Sequence, residues 1–444
     1  MKRLFCILSL FFLVLPMKAQ LGLSFTIYQH NSNWAVLSGY TGLELEPMDT
    51  LYFDADNHLS YEFALSQGMY QLEVDGETIE FLSEGKTVQY IASASLNVGE
   101  WFDVDNQQWS AYLRERAAYR QEIEALKVVL RQYDPQSAFY QNASQEFVSR
   151  QLSFHEATEQ LINDSPNSYA ARLIKADREM AIDPKSSGAE QRQMLIEHFL
   201  DDVDFNDLLL IPTNVLTTKM IDYLSLFQGL ECVTDSNVAF AMGLGKILEK
   251  AKVNTKMYAF VLEYMLKGFA ALGMDAVTDY LLNYPQLSEG DITVEEGIML
   301  DSISEPYQKV RVGVKAPDIS GITINGEPYR LYDSQAKCKI VFFWSTECEY
   351  CHDFLTSIRK NLDLENDFEL VTVALAESQK EAERTVKKMR LPGHHFYEAE
   401  RWEGKIIKDY HVFSTPTVFV LDSDNNIVSK PYDWEEFKEF RMKN

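Results

Sequence analysis

Ile340-Val341-Phe342-Phe343-Trp344-Ser345-Thr346-Glu347-Cys348-Glu349-Tyr350-Cys351-His352 decides the reading of this chain. Residues 339–344 read as a continuous apolar run, the pattern of a central strand buried on both faces. A short polar turn follows and leads into Cys-x-x-Cys. The second cysteine is expected to start a helix over about 351–362. That arrangement has a chemical use. Free N–H groups and the helix dipole at a helix N-terminus favour a thiolate on Cys348. A thiolate there attacks a disulfide, and Cys351, one helical turn on, resolves the mixed disulfide.

Outward from this stretch, strands and helices alternate. A second buried strand is expected over 368–375, a helix over 377–388 and a strand over 417–421. Asp424-Asn425-Asn426 reads as a turn into 427–429, and 434–442 as a closing helix. The pattern is that of an α/β domain.

These residues resemble the thioredoxin superfamily, particularly exported TlpA/ResA-like oxidoreductases. The resemblance covers 313–444 and rests on three motifs. They are Val312-Gly313-Val314-Lys315-Ala316-Pro317-Asp318, the Phe-Trp-Ser-Thr-x-Cys-x-x-Cys segment, and Ser414-Thr415-Pro416-Thr417 ahead of a strand. It implies a thioredoxin fold with Cys348 and Cys351 as the catalytic pair. It also implies a cis proline at Pro416 facing that pair, with Thr415, Pro416 and Trp344 as substrate-binding residues. Three departures stand out. Tyr350 replaces the common proline before the second cysteine. Phe342 and Phe354 occupy the two positions where relatives carry a buried acid or a glutamate. Proton transfer is therefore expected from a nearby substitute: Glu349, His352 or Asp353, with Glu347 also close. Glu347 and Glu349 flank Cys348, and like charge raises a thiol pKa. A less stabilised thiolate makes a more reducing couple, so a reductase or isomerase is expected rather than a strong oxidant.

The rest of the chain reads as two further regions. Residues 21–104 show short runs such as Thr26-Ile27-Tyr28 and Thr50-Leu51-Tyr52-Phe53, bounded by turn residues. Asp75-Gly76 between two such runs is a hairpin signal. A β-rich, sandwich-like domain is expected there. Over 105–290 the period becomes helical, from Trp109, Tyr112, Leu113, Ile123, Leu126 and Leu130 onward. Asp134-Pro135 ends the first helix, and Ser165-Pro166 is expected to cap one over 169–180. More helices are expected near 190–200, 214–228, 237–250, 255–272 and 274–283. Residues 291–312 read as a linker. The β and helical regions resemble those of multidomain thioredoxin-like proteins from Bacteroidetes, through Pro166-Asn167-Ser168-Tyr169 and the stretch from Ile211-Pro212 to Lys219-Met220-Ile221-Asp222-Tyr223-Leu224.

Met1-Lys2-Arg3, an apolar run over 4–16 and Met17-Lys18-Ala19-Gln20 read as a secretory signal peptide over 1–20. The run is short for a bilayer span, and Cys6 lies inside it, so no lipoprotein pattern is seen. Export to a periplasm-like compartment is expected. The net charge of −26 over 444 residues argues against nucleic acid and anionic lipid as partners. Cys232, Cys338, Cys348 and Cys351 are too few for a disulfide scaffold, and no second Cys-x-x-Cys completes a zinc site. Cys338 and Cys232 read as structural thiols, with a regulatory thiol at Cys338 or a disulfide between the two as the alternatives. His394-His395 is placed in a Pro-Gly loop, and Asn142-Ala143-Ser144 matches a glycosylation pattern too common to use. No cofactor motif is seen. The expected partners are disulfide-containing exported proteins and a membrane thiol electron donor. The competing reading is an interaction protein that uses the thioredoxin fold as scaffold. A peroxidase is a weaker reading, because Pro-x-x-x-Thr-x-x-Cys is absent at Cys348.

Overall fold

The computed structural model describes residues 22–228, 235–284, 293–362 and 368–443. The expected signal segment and Cys232 lie outside the described residues. The contacts group the chain into two units, 1–226 and 227–444.

The first unit opens with β1 (Leu23–Ile27), β2 (Trp34–Thr41), β3 (Glu44–Tyr52), β4 (His58–Tyr61), β5 (Gly68–Val74), β6 (Glu77–Ser83), β7 (Val88–Ser95) and β8 (Val98–Trp101). Among the described residues they form two sheets, ordered β4-β1-β7-β8 and β3-β2-β5-β6. Alternate side chains of both, including Phe25, Leu37, Leu72, Phe81 and Tyr90, share one apolar cluster. Asp75-Gly76 forms the β5–β6 hairpin with Val74 opposite Glu77. Both turn residues have positive φ, 54° and 79°, the geometry a two-residue hairpin needs.

Helices α1 (Val104–Gln132), α2 (Ala138–Asp164), α3 (Tyr169–Asp177), α4 (Gly188–His198) and α5 (Val215–Ser225) complete this unit. Asp103 caps α1 by accepting from Asn106 N. The Asn106 amide bonds Leu82 N and O at 2.7 and 2.8 Å, which ties α1 to β6. The α2 helix was not visible in the sequence pattern. Ser165 ends it rather than opening α3; the α3 cap is Ser168, whose hydroxyl accepts from Ala171 N at 3.0 Å.

The second unit begins with α6 (Ser236–Ala251), α7 (Thr255–Ala271), α8 (Asp275–Asn283) and α9 (Val294–Lys309). The contacts thus divide the expected 105–290 helical region, with α6–α8 grouped with the C-terminal segment. The expected linker over 291–312 carries α9 instead. Leu300, Ser304 and Tyr307 are buried at helical spacing and hold it, despite Pro306 inside.

The C-terminal part contains β9 (Ser320–Ile322), β10 (Pro328–Arg330), β11 (Lys339–Ser345), α10 (Glu349–Asn361), β12 (Glu369–Leu375), α11 (Gln379–Met389), β13 (His394–Tyr397), α12 (Lys405–Asp409), β14 (Thr417–Leu421), β15 (Ile427–Ser429) and α13 (Trp434–Lys443). The main sheet runs β13-β12-β11-β14-β15. β11 pairs parallel to β12 and antiparallel to β14. Its side chains alternate between two apolar clusters. Ile340, Phe342 and Trp344 pack on the side of α10 and α13, and Val341 and Phe343 pack with Tyr410 and Phe419. Apolar cover on both faces explains the unbroken run in β11. His394 and His395, expected in a loop, lie in β13 because the strand pairs with β12 through Val371 and Thr372. His394 faces Glu369 at 3.2 Å, while His395 is buried.

Candidate active site

The cysteine pair sits where β11 hands over to α10. Cys348 is the N-cap of α10, and Cys351 lies inside the first turn rather than at its start. Three bonds shape the turn. Glu347 N donates to Ser345 Oγ at 3.3 Å, Cys348 N to Ser345 O at 3.2 Å, and His352 N to Cys348 O at 3.2 Å. Cys348 and Cys351 form a disulfide. Cys351 N lies 3.1 Å from Cys348 Sγ, so a backbone N–H already points at the sulfur where a thiolate would form. Cys348 is half-buried, whereas Cys351 is fully buried among Phe342, Phe354 and Leu355. The two sulfurs are therefore unequal, and Cys348 is the more exposed.

The Thr415–Pro416 peptide bond is cis. Thr415 O lies 3.7 Å from Cys348 Sγ. β14 begins at Thr417, so Thr415 stands outside the sheet ladder. Pro416 joins Tyr350, Asp353, Phe354 and Ser357 of α10, and Tyr432, Asp433, Trp434 and Glu435, in lining a groove of about 450 Å³. Tyr350, at the position usually held by proline, is 83% exposed and forms part of its rim.

The segment over 336–427 matches a thioredoxin-like domain by its family model, and the match fits this geometry. It is similar to the thioredoxin-like protein YneN of Bacillus subtilis, 27% identical over 128 residues that cover 27% of this chain and 74% of that one. It is also similar to the thiol-disulfide oxidoreductase ResA of Bacillus thuringiensis, 26% identical over 125 residues, 28% of this chain and 70% of ResA. Among solved structures, a thioredoxin-like protein from Bacteroides caccae aligns with a TM-score of 0.39 and 17% identity, covering 60% of this chain and 97% of that one.

The thioredoxin-like domain brings Cys348, Cys351, Thr415 and Pro416 together, but not every expected residue joins them. Trp344, expected to touch substrate, is fully buried. Its place in the central strand turns the ring into the core, where it meets His352 edge-on with centroids 6.2 Å apart. Among the three expected proton carriers, Glu349 and Asp353 are exposed. His352 Nε2 is buried and has no hydrogen-bond partner, as is Trp344 Nε1. Phe342 and Phe354 are both buried, so the two acid positions are apolar in space as well as in sequence. The groove wall over 432–435 was missed by sequence reasoning. Its signal was an alternation of aromatic and acidic residues, Tyr432-Asp433-Trp434-Glu435, just before a closing helix.

Cys338 remains a free thiol, packed at the edge of the cluster that holds Cys351. Burial pushes it up to about 11, so it is not a competing nucleophile at neutral pH. Among the described residues no cluster of His, Cys, Asp or Glu could hold a metal ion, and no helix is long and apolar enough to cross a membrane.

Proposed function

We propose that the thioredoxin-like domain reduces or isomerises protein disulfides, with Cys348 as nucleophile and Cys351 as resolving thiol. The unequal exposure of the two sulfurs at the N-terminus of α10 carries the reading. The Cys348 thiolate attacks one sulfur of the substrate disulfide. That bond breaks, and the departing sulfur takes the electron pair and then a proton. The Cys351 thiolate next attacks Cys348 Sγ and releases the second substrate thiol. The substrate gains two electrons, and the enzyme is left as the Cys348–Cys351 disulfide. A thiol donor returns it to the dithiol form.

Thr415 and Pro416 form the edge along which an extended substrate chain lies. His352 carries the proton to or from Cys351, since its Nε2 faces inward whereas Glu349 and Asp353 face solvent. The pattern over residues 1–20 supports export, with action in the periplasm on exported disulfide proteins and a membrane thiol donor as reductant. The β-rich region and helices α1–α5 then form a separate unit joined to this redox module.

The deciding experiment is the reduction potential of the pair in the mature protein, by equilibration with glutathione or dithiothreitol and mass readout. A value more reducing than about −200 mV supports a reductase or isomerase. A value near about −120 mV reverses the direction toward oxidation. A pair that never cycles overturns the reading and leaves a binding scaffold.

A further inference from the structure

The groove beside the disulfide has two lips, and both lead back to helices outside the thioredoxin-like core. The first lip is the wall over 432–435. It follows β15 through Lys430, whose Nζ lies 3.1 Å from Asp275 Oδ1 in the first turn of α8. Their side chains are 11% and 24% exposed. The pair is largely withdrawn from water, which strengthens the attraction between the two charges, while burial raises the pKa of Asp275 and works against its charge, so that losing either partner would leave the other buried and unpaired.

The bend between α7 and α8 brings this carboxylate into place. Gly273 has φ +65°, and Met274 N bonds Phe269 O at 3.0 Å while Gly273 N bonds Ala270 O at 3.1 Å. This is a helix end built on a left-handed residue. It also lets the backbone approach closely. A Cβ on Gly273 would stand 3.0 Å from Lys430 O and 3.2 Å from Tyr432 Cβ. The α7–α8 joint thus touches the wall at its root twice, once through Gly273 and once through Asp275. Beyond the root the wall is fastened locally. Tyr432 N donates to Glu436 Oε2 at 3.0 Å, and Glu436 N to Asp433 Oδ1 at 2.8 Å.

The second lip is the chain into Thr415–Pro416. Tyr307 of α9 meets His411 edge-on with centroids 4.2 Å apart, and Phe413 at 6.3 Å. Helices α8 and α9 therefore each touch chain that leads into one side of the groove.

We propose that α7–α9 form part of the substrate-binding apparatus, with Asp275 as a positioning residue that, through Lys430, sets the 432–435 wall against the disulfide and so sets affinity for peptide disulfides. The inference rests on the redox reading above. Asp275 touches neither substrate nor sulfur; it acts through Lys430. A purely structural role would weaken folding without separating large substrates from small ones.

The test uses the full mature chain with Asp275→Ala, Lys430→Met and the conservative Lys430→Arg. Each is assayed with a short cyclic disulfide peptide and with hydroxyethyl disulfide, which has no peptide chain to lie along the wall. Asp275→Ala and Lys430→Met are expected to raise KM for the peptide about fivefold or more. Their kcat, the hydroxyethyl disulfide rate and the Cys348–Cys351 potential stay at wild-type values. Lys430→Arg restores KM. Should Asp275→Ala fail to fold, Asp275→Asn, which loses the charge and keeps an acceptor, is read the same way with a smaller rise. Folded variants with unchanged peptide KM overturn the inference, as does an equal loss on both substrates. A wild-type protein that reduces neither substrate overturns the redox reading and this inference together. An active wild type with indifferent variants overturns this inference alone.

Discussion

Phe342 and Phe354 meet edge-on in the apolar cluster that contains Cys351, with ring centroids 5.3 Å apart and planes at 83°. Two aromatic rings stand where a proton-accepting carboxylate would serve the buried sulfur. Neither ring accepts a proton, and the exposed acids of α10 point to water. His352 is left as the inward-facing polar group of the turn. His352→Ala is expected to slow resolution of the mixed disulfide by about tenfold or more. Glu349→Gln and Asp353→Asn leave that step unchanged. Stopped-flow tryptophan fluorescence at neutral pH reads it, and an unaltered rate in His352→Ala removes the histidine from the mechanism.

The unequal exposure of the two sulfurs predicts which intermediate is trapped. Cys351→Ser accumulates a covalent complex with a disulfide substrate through Cys348. Cys348→Ser accumulates none, because Cys351 is sealed in the cluster. Non-reducing electrophoresis with mass mapping distinguishes them. A complex through Cys351 would contradict the assigned roles.

Glu347 and Glu349 lie exposed on either side of Cys348. Their charge opposes a thiolate, so removing it favours the reduced form. The double variant Glu347→Gln/Glu349→Gln is expected to have a more oxidising potential, by on the order of 10 mV, where about 30 mV is a tenfold change in the equilibrium constant. The shift shrinks as salt rises, since both acids are exposed. A shift in the reducing direction would refute the account of the acidic flank.

His395 is held neutral. Burial pushes its pKa down to about 4. Its ring is satisfied in that form, with Nε2–H donating to Leu391 O at 3.2 Å and Nδ1 accepting from Thr372 Oγ1 at 2.9 Å. A histidine with a depressed folded-state pKa contributes stability that is present above its unfolded value near 6.5. That stability is lost as pH falls toward 4, because the unfolded chain takes the proton first. The loss is on the order of 3 kcal/mol. Urea denaturation from pH 7.5 down to about 4 should therefore show a steeper decline for wild type than for His395→Gln. Parallel declines would mean that His395 titrates normally in the folded protein.

Parts of this architecture were legible because their causes are local. The apolar run 339–344 needs cover on two faces, and β11 has it. Asp75-Gly76 tolerates positive φ, which is the local requirement of its two-residue hairpin. Other parts were hidden because their causes are not local. The α2 helix buries Ser144, Gln151 and Thr158 among its apolar residues, which dilutes the hydrophobic period, and it is recognised by its packing on α1, where Tyr119 stacks on Phe154 at 4.3 Å. Residues 291–312 read as a linker, and burial of Leu300 and Tyr307 made a helix there with Pro306 inside it.

The same division runs through the active site. The sequence by itself determined the cysteine pair and its strand-to-helix setting, since these depend on spacing and turn chemistry within a few residues, whereas the Thr415-Pro416 segment was legible through its resemblance to the thioredoxin superfamily. Only the tertiary structure decided that Trp344 is core, that His352 turns inward, and that Tyr432, Asp433, Trp434 and Glu435 close the groove. Burial and facing belong to the assembled surfaces: a side chain's neighbours come from other elements, and no periodicity in its own segment names them.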